Sequence, residues 1–143
     1  MASASTTEDF DCTVEQFYSL ITDYSNYSEF LKEVKKAKVV EDRGDEKLVQ
    51  FDISLIKSFS YRLVMDETRP TTVKWKLDSG DVFKESNGYW KLEENEQGKC
   101  RAHYSVEAKF KVFVPGPIAK ALVEVNLPNM ISAYHKRVAE VYG

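Results

Sequence analysis

The sequence predicts an α+β fold in which a strongly curved antiparallel sheet of about seven strands wraps one long C-terminal helix, with two short helices after the first strand. Three observations predict it. Apolar and polar residues alternate through most of the chain between Lys32 and Val114, the signature of strands with one dry face. The breaks between these runs are short polar turns, which join antiparallel neighbours, whereas parallel strands need long crossovers. After Pro115-Gly116-Pro117 the period becomes helical and stays so to the C-terminus.

From Asp11 to Tyr24, Val14, Phe17, Tyr18, Leu20 and Ile21 recur at near-helical spacing, and Thr13 and Gln16 are spaced as a capping box. Tyr24, Tyr27, Phe30 and Leu31 then suggest a second, shorter helical turn. Val34 to Asp42 ends at the turn Arg43-Gly44-Asp45. In Lys47 to Leu55, Val49, Phe51, Ile53 and Leu55 share a face opposite Gln50, Asp52 and Ser54. Phe59, Tyr61, Leu63 and Met65 repeat the device until Arg69-Pro70 breaks it, and Val73, Trp75 and Leu77 run to the turn Ser79-Gly80-Asp81. Phe83 to Glu94 and Lys99 to Val114 flank the turn Asn95-Glu96-Gln97-Gly98, with Ala102, Tyr104, Val106, Ala108, Phe110 and Val112 facing inward in the last strand.

In the final helix Ile118, Leu122, Val125, Met130, Ile131, Tyr134, Val138 and Val141 form the apolar face, while Lys120, Glu124, Lys136, Arg137 and Glu140 look outward. Pro128 falls inside this helix and should kink or divide it.

Seven strands at about 4.8 Å make a sheet about 34 Å wide, whereas a helix with its side chains is about 10 to 12 Å across. The sheet must therefore curl around the helix, and such a curl leaves space between the two. The inward rings Phe51, Tyr61, Trp75, Trp90, Tyr104 and Phe110 are bulky enough either to fill that space or to wall it, and the sequence leaves both open.

The 143 residues suit one domain spanning 1–143, with 43% hydrophobic and 30% charged residues. A net charge of −3 supplies no electrostatic basis for a nucleic-acid partner. No run reaches the roughly 18 apolar residues of a membrane span. The N-terminal segment Met1 to Asp11 has the layout of neither a secretory signal nor a transit peptide, so a cytoplasmic protein is expected. Cys12 and Cys100 lie far apart in sequence and outside any metal-spaced cluster, which reads as two reduced thiols.

No nucleophile–base pair, metal cluster or phosphate-binding glycine loop is visible, so no catalytic residue, metal or cofactor is assigned. His103 alternates onto the outer face of its strand and His135 lies near the helix end; both read as locally bonded residues. Asn126, beside the kink, is either a polar group in the chamber or a partner for backbone groups freed by the kink.

These elements resemble the helix-grip fold of the START-like (SRPBCC) superfamily, in the branch called polyketide cyclase/dehydrase or coenzyme-Q-binding START domain. FYSLITDYSNYSEFLKEVKKAKVVE, Phe17 to Glu41, resembles its first helix and its Asp-x-x-x-Tyr-x-x-Phe-Leu turn (Asp23, Tyr27, Phe30, Leu31), although Glu29 and Lys32 stand where that turn commonly has proline. VKWKLDSGDVFKESNGYWKLEE, Val73 to Glu94, resembles the central hairpin with its Gly-aromatic-Trp signature at Gly88, Tyr89 and Trp90, and FVPGPIAKAL, Phe113 to Leu122, resembles the entry to the last helix. Ser3 to Asp11 is the first strand that the resemblance implies.

The resemblance implies binding or transport of a hydrophobic small molecule, such as a lipid, isoprenoid quinone or polyketide, between sheet and helix. The expected ligand-binding residues are Phe51, Ile53, Tyr61, Leu63, Trp75, Trp90, Tyr104, Phe110, Leu122, Asn126 and Met130. Two alternatives stand beside it. One is a polyketide aromatase/cyclase using Asn126, Tyr61 and Tyr104 as polar groups; the other is a ribosome-associated toxin-type protein, acting through a basic surface at Lys32, Lys35, Lys36 and Lys38. Apolar tips at Leu55–Phe59 and Val112–Pro117 suit ligand entry and also transient contact with membranes or proteins.

Overall fold

A computed structural model describes residues 2–143. Seven antiparallel strands form one sheet in the order β1-β7-β6-β5-β4-β3-β2: β1 (Ala2–Phe10), β2 (Val34–Asp42), β3 (Glu46–Leu55), β4 (Lys57–Thr68), β5 (Thr72–Gly80), β6 (Phe83–Glu94) and β7 (Cys100–Phe110). The strands β2 to β7 follow one another as a meander. The chain leaves β1 at one edge and enters β2 at the other, crossing through helix α1 (Val14–Ile21) and a 3-10 turn (Tyr24–Glu29).

Helix α1 starts where the sequence says it should. Thr13 Oγ1 accepts from the Gln16 amide at 3.1 Å and Gln16 Oε1 accepts from the Thr13 amide at 2.9 Å, a reciprocal cap whose threonine is worth about 1 kcal/mol. The face it buries carries Phe17, Tyr18, Leu20 and Ile21. Phe17 stacks on Phe10 at 4.3 Å and meets Trp90 edge-on at 5.3 Å, while Trp90 meets Tyr134 at 5.4 Å. These rings close one end of the curled sheet.

Curvature comes from register shifts at Val34/Lys36 and Val39/Glu41 in β2, at Leu77/Ser79 in β5, opposite Arg62 and Leu63 of β4, and at Phe83/Glu85 in β6. Each adds a residue on one strand and bends it.

The last helical stretch is divided, in accord with Pro128. Helix α2 (Gly116–Lys120) runs into a π-helical turn (Ala121–Val125), and α3 (Leu127–Tyr142) follows with Pro128 in its first turn. That wide turn corrects the expected apolar face: Val123 is buried, and Val125 is 62% exposed. The π turn takes more residues per revolution than an α turn, so the phase slips there. Val141, also expected inward, is half exposed at the helix end, where Tyr142 packs instead and donates from its hydroxyl to the Gln16 carbonyl at 2.9 Å.

The last strand is shorter than expected. It stops at Phe110, opposite Phe83, the first residue of β6. Val112, expected to face inward, is therefore fully exposed in the loop before α2. Cys12 and Cys100 are both free and buried, and burial pushes their thiols up to about 11 and about 12. Among the described residues no helix is long and apolar enough to cross a membrane.

Candidate functional site

A cavity of about 180 Å³ lies between the concave face of the sheet and the π turn and α3. Ten of the eleven residues singled out from the sequence line it: Phe51 and Ile53 from β3, Tyr61 and Leu63 from β4, Trp75 from β5, Trp90 from β6, Tyr104 from β7, and Leu122, Asn126 and Met130 from the helical side. The eleventh, Phe110, does not. It lines a separate crevice beside α2, and its cross-strand partner Phe83, whose ring lies 4.8 Å away at a tilt, takes the place on the chamber wall.

The question of filling against walling is answered ring by ring. Trp90 is 3% exposed and packed among Phe17, Tyr104 and Tyr134, so it is core with one edge on the cavity. Tyr61, Trp75 and Tyr104 retain uncovered surface, and the chamber is what they face. Trp75 can lie along the wall because its cross-strand neighbour is Gly88: a Cβ there would sit 2.5 Å from the indole Cζ2 and 2.4 Å from the Ser105 carbonyl oxygen.

The polar groups are few. Burial, followed by the negative charge of Glu33, pushes the Tyr61 phenol well above its usual range. Burial does the same to Tyr104, helped by Tyr134, Tyr61 and Glu33, and to Tyr134, helped by Tyr27 and Glu33. These phenols stay protonated at neutral pH and act as hydrogen-bonding groups, not bases. Tyr27 donates its hydroxyl to the Ile21 carbonyl, fixing the 3-10 turn to α1. Asn126 lines the chamber with its side chain free of any helix-capping bond, while its carbonyl accepts from the Met130 amide at 3.0 Å. The kink-repair role is thus absent. Pro128 sits in the first turn of α3, where a missing N–H leaves little to repair.

Other lining residues escape the sequence reading of the site, among them the polar Tyr27, Glu33, Ser86 and Tyr134. Tyr27 and Tyr134 carry a signal in their apolar periodicity, whereas Glu33 precedes β2, outside the pleat whose alternation assigns faces. The histidines lie elsewhere. His103 bonds Thr7 Oγ1 at 2.9 Å and Glu93 at 3.0 Å on the outer face, and His135 stacks on Phe10 and reaches Glu8 at 3.4 Å. Among the described residues no three His, Cys, Asp or Glu side chains gather as a metal would require.

The rim carries exposed apolar side chains. Ile56, in the left-handed region with φ 68° at the β3–β4 turn, is 63% exposed, and Phe113 before α2 is 60% exposed. The Lys57 ammonium lies 5.9 Å above the Phe113 ring, so the hairpin tip and the loop before α2 meet.

Known proteins share this architecture. A START superfamily protein from Mycobacterium smegmatis superposes with a TM-score of 0.86 at 18% identity, covering 99% of both chains. The ZhuI aromatase/cyclase from Streptomyces sp. R1128 superposes with a TM-score of 0.84 at 10% identity, covering 99% of this chain and 97% of that one. At such identities the likeness is one of fold. In sequence, the ribosome association toxin RatA of Escherichia coli K12 is 26% identical over 135 residues, spanning 92% of this chain and 83% of its own length. Residues 11–134 match the family described as polyketide cyclase/dehydrase and lipid transport. With that match over most of its length and a curved seven-stranded sheet gripping a C-terminal helix, the chain belongs to the polyketide cyclase/dehydrase and lipid transport family.

Proposed function

We propose that this chain binds or carries an apolar small molecule of the lipid, isoprenoid quinone or polyketide class, in the chamber between sheet and α3. The observation that carries the reading is the chamber itself, a space of about 180 Å³ walled mostly by aromatic and aliphatic side chains. An apolar cavity of about 150 Å³ is enough to take up a benzene ring, whereas whole drug-sized ligands occupy about 300 Å³ or more. The chamber thus suits a ring or short chain, and a longer guest extends past the rim. Ile56, Val112 and Phe113 give that rim an apolar lip suited to brief contact with a membrane during exchange.

Extraction of the native protein into organic solvent, followed by mass spectrometry, is expected to release a co-purifying hydrophobic compound in near-stoichiometric amount. A clean blank from protein made in several hosts would remove the carrier role.

One surface favours a second reading, association with the ribosome. The β2 edge exposes Lys35, Lys36 and Lys38, with Lys32 just before it, and none of these makes an ion pair within 4 Å among the described residues. On this reading the protein co-sediments with ribosomal subunits at low salt, and replacing the four lysines with glutamate abolishes it. Failure of the wild type to sediment ends it.

A further inference from the structure

Among the described residues Glu33 is the one charged side chain lining a chamber made mostly of rings and aliphatic groups. Among the described residues its carboxylate forms no ion pair and no side-chain hydrogen bond, and its charge acts on the Tyr61, Tyr104 and Tyr134 hydroxyls across the cavity. We infer that the chamber selects a guest whose apolar body carries a protonated amine, with the ammonium on Glu33 and the body against the aromatic walls. The inference rests on the reading of the chamber as an apolar-ligand site and, among the classes named for it, favours an amine-bearing lipid over a quinone or polyketide.

The argument is one of compensation. A guest filling the chamber strips water from Glu33, and a carboxylate that loses water without gaining a partner opposes binding strongly. A hydrocarbon offers no replacement. A quinone or ketone offers only acceptor oxygens, which meet the carboxylate with like-signed dipoles, and an acid repels it outright. An ammonium supplies donors and opposite charge together. The walls act in the same sense, because the faces of Phe51, Tyr61, Trp75, Trp90, Tyr104 and Tyr134 attract a cation placed over them. The Asn126 amide and the tyrosine oxygens accept the remaining N–H groups.

The test is a calorimetric titration of the full chain with four probes of similar body: 2-phenylethylamine, 2-phenylethanol, 3-phenylpropanoate and butylbenzene. The wild type is expected to bind the amine about tenfold more tightly than the alcohol, with the acid weakest. Glu33→Gln is expected to bring the amine down to the level of the alcohol while leaving the alcohol unchanged. Glu33→Lys, a second variant should the first fold poorly, is expected to invert the order in favour of the acid. Equal affinity for amine and alcohol in the wild type, or an amine preference that survives Glu33→Gln, overturns the inference and leaves the apolar chamber standing. No binding of any probe, butylbenzene included, overturns both.

Discussion

Phe17→Ala is expected to lower the unfolding free energy by about 3–5 kcal/mol, the largest loss anticipated for any single ring in this chain. Phe17 is completely buried. It stacks on Phe10, meets Trp90 edge-on and lies 5.8 Å from Tyr134, so one side chain ties α1 to β1, β6 and α3. Truncation would leave a hole bounded by rigid rings that cannot collapse into it. For a chain of this size the loss corresponds to a fall in Tm of about 10 °C or more. Urea denaturation followed by far-ultraviolet circular dichroism checks it; a loss below about 1.5 kcal/mol would mean that α1 contributes little to closing this end of the sheet.

Gly88→Ala is expected to destabilise by about 1–3 kcal/mol and to impair ligand uptake at the same time. The added methyl meets a backbone oxygen at 2.4 Å and the Trp75 ring at 2.5 Å. The backbone oxygen belongs to the β6–β7 pairing and can yield only by disturbing it; the indole yields by swinging off the wall into the cavity. Trp75→Ala, by contrast, enlarges the chamber and leaves the pairing intact. Tryptophan fluorescence with thermal denaturation of Gly88→Ala separates the two effects, and an unchanged Trp75 environment would refute the role given to Gly88.

The concave face was legible in the sequence because a pleat has a period of two. Once a run such as Val49-Phe51-Ile53 is assigned to a strand, every second side chain follows, and the same holds for Tyr61 and Leu63. Thr13 and Gln16 mark the start of α1 just as directly, since the cap is chemistry between residues three apart. Where the reading failed, the deciding partner was remote. Val112 looked like strand because its own alternation continues, but a strand ends where its neighbour ends, and Phe83 lies far away in sequence. Val125 looked buried because an ideal α-helical period was carried through a stretch that does not keep it. Whether Trp75 fills or lines depends on a glycine across the sheet. Glu33 belongs to no periodic element, so only the assembled chamber shows it to be inside.

The wide turn at Ala121–Val125 also makes the residue count of this segment a constraint separate from its chemistry. It absorbs one residue more than an ordinary helix of the same rise, and Ile131, Tyr134 and Val138, buried against the sheet, follow it in the chain. Deleting any residue there would rotate everything downstream by about 100° and swing these three side chains away from the sheet. Evolution can repaint the surface of this lid freely, but it cannot shorten it by one without rebuilding the helix behind it.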